Sequence, residues 1–372
     1  MDLPCAESLL AGWTRRAARR DPVQPLVNLD TAKVRSVLLA LTTGLGDAVL
    51  STPVFDAVRR ALPQAKITLF VRAAWAPLFA AETDLDAVVP YHGKWRRFFP
   101  TLRRLRAAAP DLALILHGND PDILPLAYLA GARQIVRVPT TGTRYGWLLS
   151  NAGREADRAT MPGWHYIDNR LRILDSVGIA KTRLSPVIRP EPAAVGRAAE
   201  WRHRVLGDAP YWVLHPWAAD SYKTWPAPQV AEFIAAATAR WPRLRIVLTG
   251  TTRERNAAEG LAVRHTGVAV AAGEFDIAGT AGLLAGARAV VAPDTGLLHL
   301  ATALGVPTVG LYAPTLVALV GPRAEHSAVR ALQQPLTCSP CLEKLCPYGE
   351  ALCMAQFRSD QVIGALAEVL DA

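Results

Sequence analysis

The chain has 372 residues, 51% of them hydrophobic and 20% charged, with a formal charge of +9 at pH 7. That length and apolar content exclude a disordered chain and fit two domains. Apolar runs are short and broken, so none reaches the ~20 residues of a membrane span, and residues 1–30 hold four arginines but no long apolar core before a cleavage site. The chain is expected to be cytoplasmic. In chain order, residues 1–30 read as a loosely docked extension. Apolar runs predict strands near 35–41, 66–71, 86–90, 111–116 and 134–138, with helical stretches between them. The Pro-rich stretch Ser185 to Pro192 is the expected linker. A second series of strands is expected near 211–215, 244–249, 288–292 and 307–311. A last helix, 359–370, is expected to pack back on the first domain. This alternation is that of α/β domains with parallel sheets, at 31–185 and 193–358.

The first strand runs into Gly44-Leu45-Gly46-Asp47 and then Ser51-Thr52-Pro53. A dinucleotide fingerprint would need a third glycine where Val49 stands, and an acid for the ribose where Arg72 ends the next strand. A nicotinamide enzyme is therefore disfavoured. Asp47 would repel a pyrophosphate, but it suits a base facing a cleft; the alternative is a helix-capping carboxylate. His117-Gly118-Asn119, ending the fourth strand, either faces an acceptor or belongs to a satisfied histidine.

Farther on, the buried strand Ala289 to Ala292 is followed by Asp294-Thr295-Gly296, with His299 one turn later. Ligands of open α/β sheets sit at the carboxyl ends of strands, and a helix start offers free N–H groups to an anion. Gly296 would let the backbone approach a phosphate closely. The plainer reading is a βαβ unit with Thr295 as N-cap. His215-Pro216 precedes Lys223-Thr224-Trp225-Pro226. An ammonium in that loop can neutralise charge developing on a phosphate.

The positive charge would suit a nucleic-acid binder, yet its distribution favours an anionic lipid surface. Lys94 to Arg106 holds five arginines beside Trp95, Phe98, Phe99, Leu102 and Leu105. This segment suits an interfacial surface, or an acceptor bearing phosphates and carboxylates, or a surface helix with an apolar underside. Pro100 places the helix start there, with Trp95 to Phe99 as its loop. Cys338, Cys341, Cys346 and Cys353 form a compact candidate structural cluster, open to reduced thiols, a bound metal or a disulfide.

Taken together, Gly44–Asp47 with Ser51-Thr52-Pro53, His215-Pro216 with Lys223–Pro226, Asp294-Thr295-Gly296 with His299, and the tail from Cys338 to Met354 resemble the ADP-heptose–lipopolysaccharide heptosyltransferases, glycosyltransferase family 9. The resemblance implies the GT-B fold, two Rossmann-like domains facing across a cleft: an acceptor-side N-terminal domain and a nucleotide-sugar-binding C-terminal domain. It implies Asp47 as catalytic base and Lys223, Glu254, Asp294, Thr295, Gly296 and His299 on the donor. Gly46, His117, Arg96 and Arg97 are the acceptor-side expectations. It further implies inverting, metal-independent transfer of heptose from ADP-heptose to the lipopolysaccharide inner core. No cofactor beyond the ADP-sugar donor is expected, and no nucleic-acid partner. The acceptor would be an anionic glycolipid, met at the cytoplasmic face of the inner membrane. Another nucleotide sugar, a protein acceptor, or a non-catalytic nucleotide-sugar binder are the alternatives.

Overall fold

The computed structural model describes residues 3–371 other than 119, 138–144, 152–163, 335, 342–345 and 347–351. Asn119, Val138 and much of the cysteine-bearing tail therefore lie outside the described residues. The chain divides into two compact units, Met1–Leu184 and Ser185–Ala372.

In the first unit, β1 (Ser36–Leu41), β2 (Lys66–Arg72), β3 (Ala87–Tyr91), β4 (Leu112–His117) and β5 (Gln134–Arg137) pair in parallel in the order β3-β2-β1-β4-β5. Every residue of β1 is buried, as a strand covered on both faces requires. Leu38 and Ala40 of β1 share a cluster with Leu102 and Leu105 of α4 (Phe98–Ala108) and with Ile123 and Leu126 of α5 (Ile123–Leu129). Helices α2 (Leu45–Leu50), α3 (Pro53–Ala61) and α6 (Tyr166–Ser176) pack together, with α6 against β4 and β5.

The N-terminal segment is more firmly held than its sequence suggests. It forms α1 (Leu3–Arg20), whose Thr14 is fully buried and whose Ala11 and Ala18 pack on the α4–α5 cluster. The Arg15 guanidinium lies 4.3 Å from the Trp147 ring centroid. Beyond the helix, Tyr128 Oη donates to the Asp21 carbonyl at 2.9 Å, and the Gln24 amide to Arg133 O at 2.8 Å.

In the second unit, β6 (Tyr211–Leu214), β7 (Arg245–Leu248), β8 (Val268–Val270), β9 (Val290–Pro293), β10 (Thr308–Tyr312) and β11 (Val329–Gln333) form a parallel sheet in the order β11-β10-β9-β6-β7-β8. The edge strands β8 and β11 escape a sequence reading because β8 has three residues and β11 is half-buried and carries Arg330 in its middle. α7 (Pro192–Leu206), α8 (Ala227–Arg240), α9 (Arg255–Ala262), α10 (Ile277–Ala285), α11 (Gly296–Ala303), α12 (Val317–Val320) and α13 (Leu352–Ala355) connect or flank them. α7 and α10 pack so closely that a Cβ on Gly282 would stand 2.6 Å from Ala194 O.

Two segments are held by the second unit. One is the last helix, α14 (Ser359–Leu370). Its stripe Val362, Leu366 and Val369, spaced i, i+4, i+7, is buried with Trp212, Phe233 and Ile234 in the second unit's core. The linker also belongs to the second unit: the Ile188 amide donates to Ala303 O at 2.9 Å, and Ser185 Oγ to Glu325 at 2.5 Å.

Strand order now places the site. In each sheet the order reverses at one point, between β1 and β4 and between β6 and β9. Crevices open at the carboxyl ends of strands beside such switch points. Asp47 and His117 follow or end β1 and β4, and Lys223 and Asp294 follow β6 and β9.

Candidate functional site

At the first switch point, Asp47 sits in the first turn of α2. Its Oδ1 accepts from Arg170 Nη2 at 2.7 Å, and its Oδ2 lies 3.5 Å from His117 Nδ1. The same imidazole nitrogen shares a 2.6 Å hydrogen bond with Thr43 Oγ1. The β1–β4 register shifts just before His117, a bulge that re-aims a side chain at a strand end. Arg170 comes from α6, flanked by buried Ile167, Leu171 and Leu174. Burial pushes its guanidinium below its ordinary value, and the Asp47 charge opposes that shift. Its Nε is buried without a partner among the described residues. Sequence reasoning missed Arg170; the available signal was a cation inside the apolar stripe of an amphipathic helix.

The glycine turn itself is occupied by its own unit. Arg72 Nε donates to Thr42 O at 2.9 Å, and Trp75 Nε1 to Thr43 O at 3.0 Å. Arg72, where a dinucleotide-binding strand would end in an acid, thus braces the turn. Together these contacts fix the approach to Gly46 and Asp47.

At the second switch point, Asp294 is nearly buried and has three partners. Lys223 Nζ donates to Oδ2 at 2.8 Å, Thr315 Oγ1 donates to the same oxygen at 2.8 Å, and His299 Nε2 is 3.3 Å from Oδ1. Burial alone would raise this carboxyl, but the His299 hydrogen bond and charge, then Lys223, hold it well below the usual carboxylate range. Burial likewise works against the Lys223 charge, but Asp294 outweighs it and raises the ammonium above its ordinary value. Breaking a buried ion pair by removing one partner costs roughly 3–5 kcal/mol, so this pair is firmly set.

The loop that carries Lys223 is closed from within. The Trp225 amide donates to Pro216 O at 2.8 Å, and the Ala218 amide to Thr224 Oγ1 at 3.0 Å. Trp225 is 1% exposed, with its ring centroid 5.1 Å from that of Phe233. The Trp-Pro of this loop is thus a core anchor, and Lys223 ends a 3-10 turn two residues before it.

Thr295 occupies the N-cap of α11, but its hydroxyl makes no capping hydrogen bond. Thr295 Oγ1 and His299 Nδ1 are buried without partners among the described residues. Unpaired buried polar atoms ask for an explanation, and here they border the unsatisfied amides of a helix start. Nearby, Trp217 Nε1 donates to Thr249 O at 2.8 Å, and burial lowers His215 to about 4. Glu254 does not stand alone: its Oε2 accepts from the Thr251 amide at 2.7 Å. A Cβ on Gly250 would lie 3.0 Å from Trp217 Nε1.

The basic–aromatic segment is half loop, half helix. α4 begins at Phe98, two residues before Pro100, after Trp95 and Arg97 at φ 61° and 52°. Non-glycine residues seldom adopt that left-handed region. The buried Asp122 secures the strained turn, accepting from the Trp95 amide at 3.0 Å and from Tyr91 Oη at 2.7 Å. Leu102 and Leu105 are core, Phe99 is 78% exposed, and Arg96, Arg97, Arg103 and Arg104 are exposed. The helix therefore has both an apolar underside and a basic outer face.

Among the described residues, Cys338, Cys341, Cys346 and Cys353 take part in no disulfide. Burial pushes the Cys353 thiol up, and the neighbouring Cys346 and Cys338 add to the shift. Among the described residues, no group of three or more His, Cys, Asp or Glu side chains is arranged to hold a metal ion.

Known proteins share this architecture. The Escherichia coli ADP-heptose lipopolysaccharide heptosyltransferase II superposes with a TM-score of 0.75 at 19% identity, over 90% of this chain and 98% of that one. The E. coli heptosyltransferase WaaC with ADP-2-deoxy-2-fluoro heptose gives 0.63 at 20% identity, over 90% and 99%. These likenesses identify the fold as GT-B, with a Rossmann-like sheet in each unit. A lipopolysaccharide heptosyltransferase 1 of Pseudomonas aeruginosa is 29% identical over 332 residues, 84% of this chain and 87% of that protein. The sequence profile of glycosyltransferase family 9 (heptosyltransferase) matches residues 164–352, half of the chain, from α6 through the whole second sheet. The chain belongs to glycosyltransferase family 9 and is a glycosyltransferase.

Proposed function

We propose that this chain transfers heptose from ADP-heptose to the inner core of lipopolysaccharide, with inversion and without a metal ion. The observation that carries the reading is the Asp294–Lys223–His299 set beside the Thr295 hydroxyl at the start of α11, which has no partner among the described residues. It joins an ammonium, a helix start and a hydroxyl-binding carboxylate, the groups an ADP-sugar needs. The names of the P. aeruginosa and E. coli relatives supply the sugar and the lipopolysaccharide.

In this reading the acceptor hydroxyl oxygen attacks the anomeric carbon as Asp47 takes its proton. The bond from that carbon to the β-phosphate oxygen breaks, and ADP leaves. Arg170 holds and aims Asp47, using one oxygen and leaving the other to act. Lys223 and the amides of Thr295 and Gly296 meet the growing diphosphate charge. Asp294 holds Lys223 and accepts from sugar hydroxyls, His299 orients Asp294, and Glu254 accepts from the ribose. Gly46, His117, Arg96 and Arg97 face the acceptor, an anionic glycolipid reached at the cytoplasmic face of the inner membrane.

The test is release of ADP from ADP-heptose in the presence of lipopolysaccharide truncated before its core heptose. Mass spectrometry should show one heptose added to the acceptor, and NMR an inverted anomeric centre. Chelator should leave the rate unchanged. ADP release without an acceptor product, or activity only with another nucleotide sugar, rejects the reading.

A further inference from the structure

A helix that packs on a folded unit usually turns its large apolar residues inward. α1 does the reverse. At 100° per residue, Leu9, Trp13, Arg16 and Arg20 follow one line at i, i+4, i+7 and i+11, with Arg19 beside it. The opposite side, Ala11, Thr14 and Ala18, faces the first unit's core. Leu9 is 64% exposed and Trp13 52% exposed. Ala11, Thr14 and Ala18 thus make the inward contact with half-buried Leu10 beside them, while Leu9 and Trp13 point to solvent among guanidinium groups.

We propose that α1 is a surface anchor that lays this chain on an anionic lipid bilayer. Charge decides the occupant. The helix carries Arg15, Arg16, Arg19 and Arg20 against one acid, Glu7, and the arginines gather in its last two turns. An indole and an aliphatic side chain flanked by arginines match the boundary between headgroups and acyl chains. Leu9 and Trp13 enter that boundary, and Arg16, Arg19 and Arg20 meet lipid phosphates. α1 packs on the same core cluster as α4. This anchor does not depend on which sugar is transferred or on Asp47 acting as base.

The test is flotation of the full-length protein with vesicles, at about 0.1 M salt, where the Debye length is about 10 Å. Vesicles of phosphatidylcholine mixed evenly with phosphatidylglycerol should carry the protein, and pure phosphatidylcholine should carry far less. Each arginine near an anionic surface counts about five-fold, so Arg16→Gln/Arg19→Gln/Arg20→Gln should weaken partitioning about 100-fold. Leu9→Gln/Trp13→Gln, with the charge intact, should also weaken it at least ten-fold. Both variants should keep the parent's melting midpoint and ADP affinity, because the changes fall on the outward face. Equal flotation on neutral and anionic vesicles overturns the proposal. So does parent-like flotation of Leu9→Gln/Trp13→Gln, which would assign the lipid contact to basic residues elsewhere. A parent dimer that this pair disperses, without vesicle binding, overturns it too and makes the face a contact between copies.

Discussion

Arg170 and Asp47 lie 123 residues apart in sequence and 2.7 Å apart in space. One is a buried cation; the other is a half-buried acid beside a histidine. The pairing gives the first unit a negative group whose direction is fixed from behind. In the proposed reaction Arg170 is a positioning residue, since it would act through Asp47.

Asp47→Ala should lower turnover by about 10²–10⁴, the usual contribution of a general base. Donor affinity should be unchanged, because Asp47 works on the acceptor hydroxyl. Steady-state rates together with ADP-sugar titration calorimetry separate the two effects. Near wild-type turnover would remove Asp47 from the chemistry.

Arg170→Met should lower kcat by about 10², the scale of a small misplacement of a reacting group. Arg170→Lys, which keeps the cation, should restore part of that loss. Donor KM should stay constant in both. A general loss of folded protein in both variants, seen by circular dichroism, would mark Arg170 as purely structural.

Lys223→Gln should raise donor KM and lower kcat together, because the ammonium meets phosphate before and during bond breaking. The glutamine keeps a donor toward Asp294 and so limits the structural damage. Unchanged affinity and rate would reduce Lys223 to a partner of Asp294.

Asp294 ties stability to pH. Its carboxyl is depressed on folding, by His299 first and Lys223 next, against the opposing effect of burial. A depressed pKa contributes stability that is complete above the unfolded value, about 3.9, and is lost as pH falls through the folded value. Wild type should therefore exceed Asp294→Asn by about 3 kcal/mol at pH 7. The gap should narrow from about pH 5 downward as the unfolded chain takes up its proton first. Denaturant unfolding at a series of pH values checks this, and a constant gap would rule out the charge as its source.

The exposed arginines of the strained turn and α4 offer a salt test. Apparent affinity for the acceptor should fall as salt shortens the Debye length from about 10 Å at 0.1 M to about 3 Å at 1 M. A variant with Arg96, Arg97, Arg103 and Arg104 changed to glutamine should lose most of that dependence. ADP affinity should match in both proteins. Identical salt slopes would leave these arginines as ordinary surface charge.

The strands that position the site were legible because fully buried parallel strands leave continuous apolar runs. β1 and β9 are buried from end to end, and their termini were placed to within a residue or two. Asp47, Lys223 and Asp294 followed from their places after such strands. Arg170 did not, since it is far from any strand end in sequence and its meaning lies in a contact. The edge strands β8 and β11 are hard to see because β8 has only three residues and β11 is interrupted by Arg330. The partner of the last helix is hidden for a similar reason. An apolar stripe shows that a helix packs, not what it packs on.

Trp225 has a consequence for how this enzyme ages and fails. Its indole is locked in the second core, two residues from Lys223, the ammonium proposed to meet the leaving group. Rotational freedom that a solvent-borne lysine would surrender at each encounter is surrendered once, during folding. The same linkage makes the site a reporter on its own foundation. Heat or a core mutation that loosens Trp225 should release Lys223 before the sheet itself melts, so donor capture should fade ahead of unfolding.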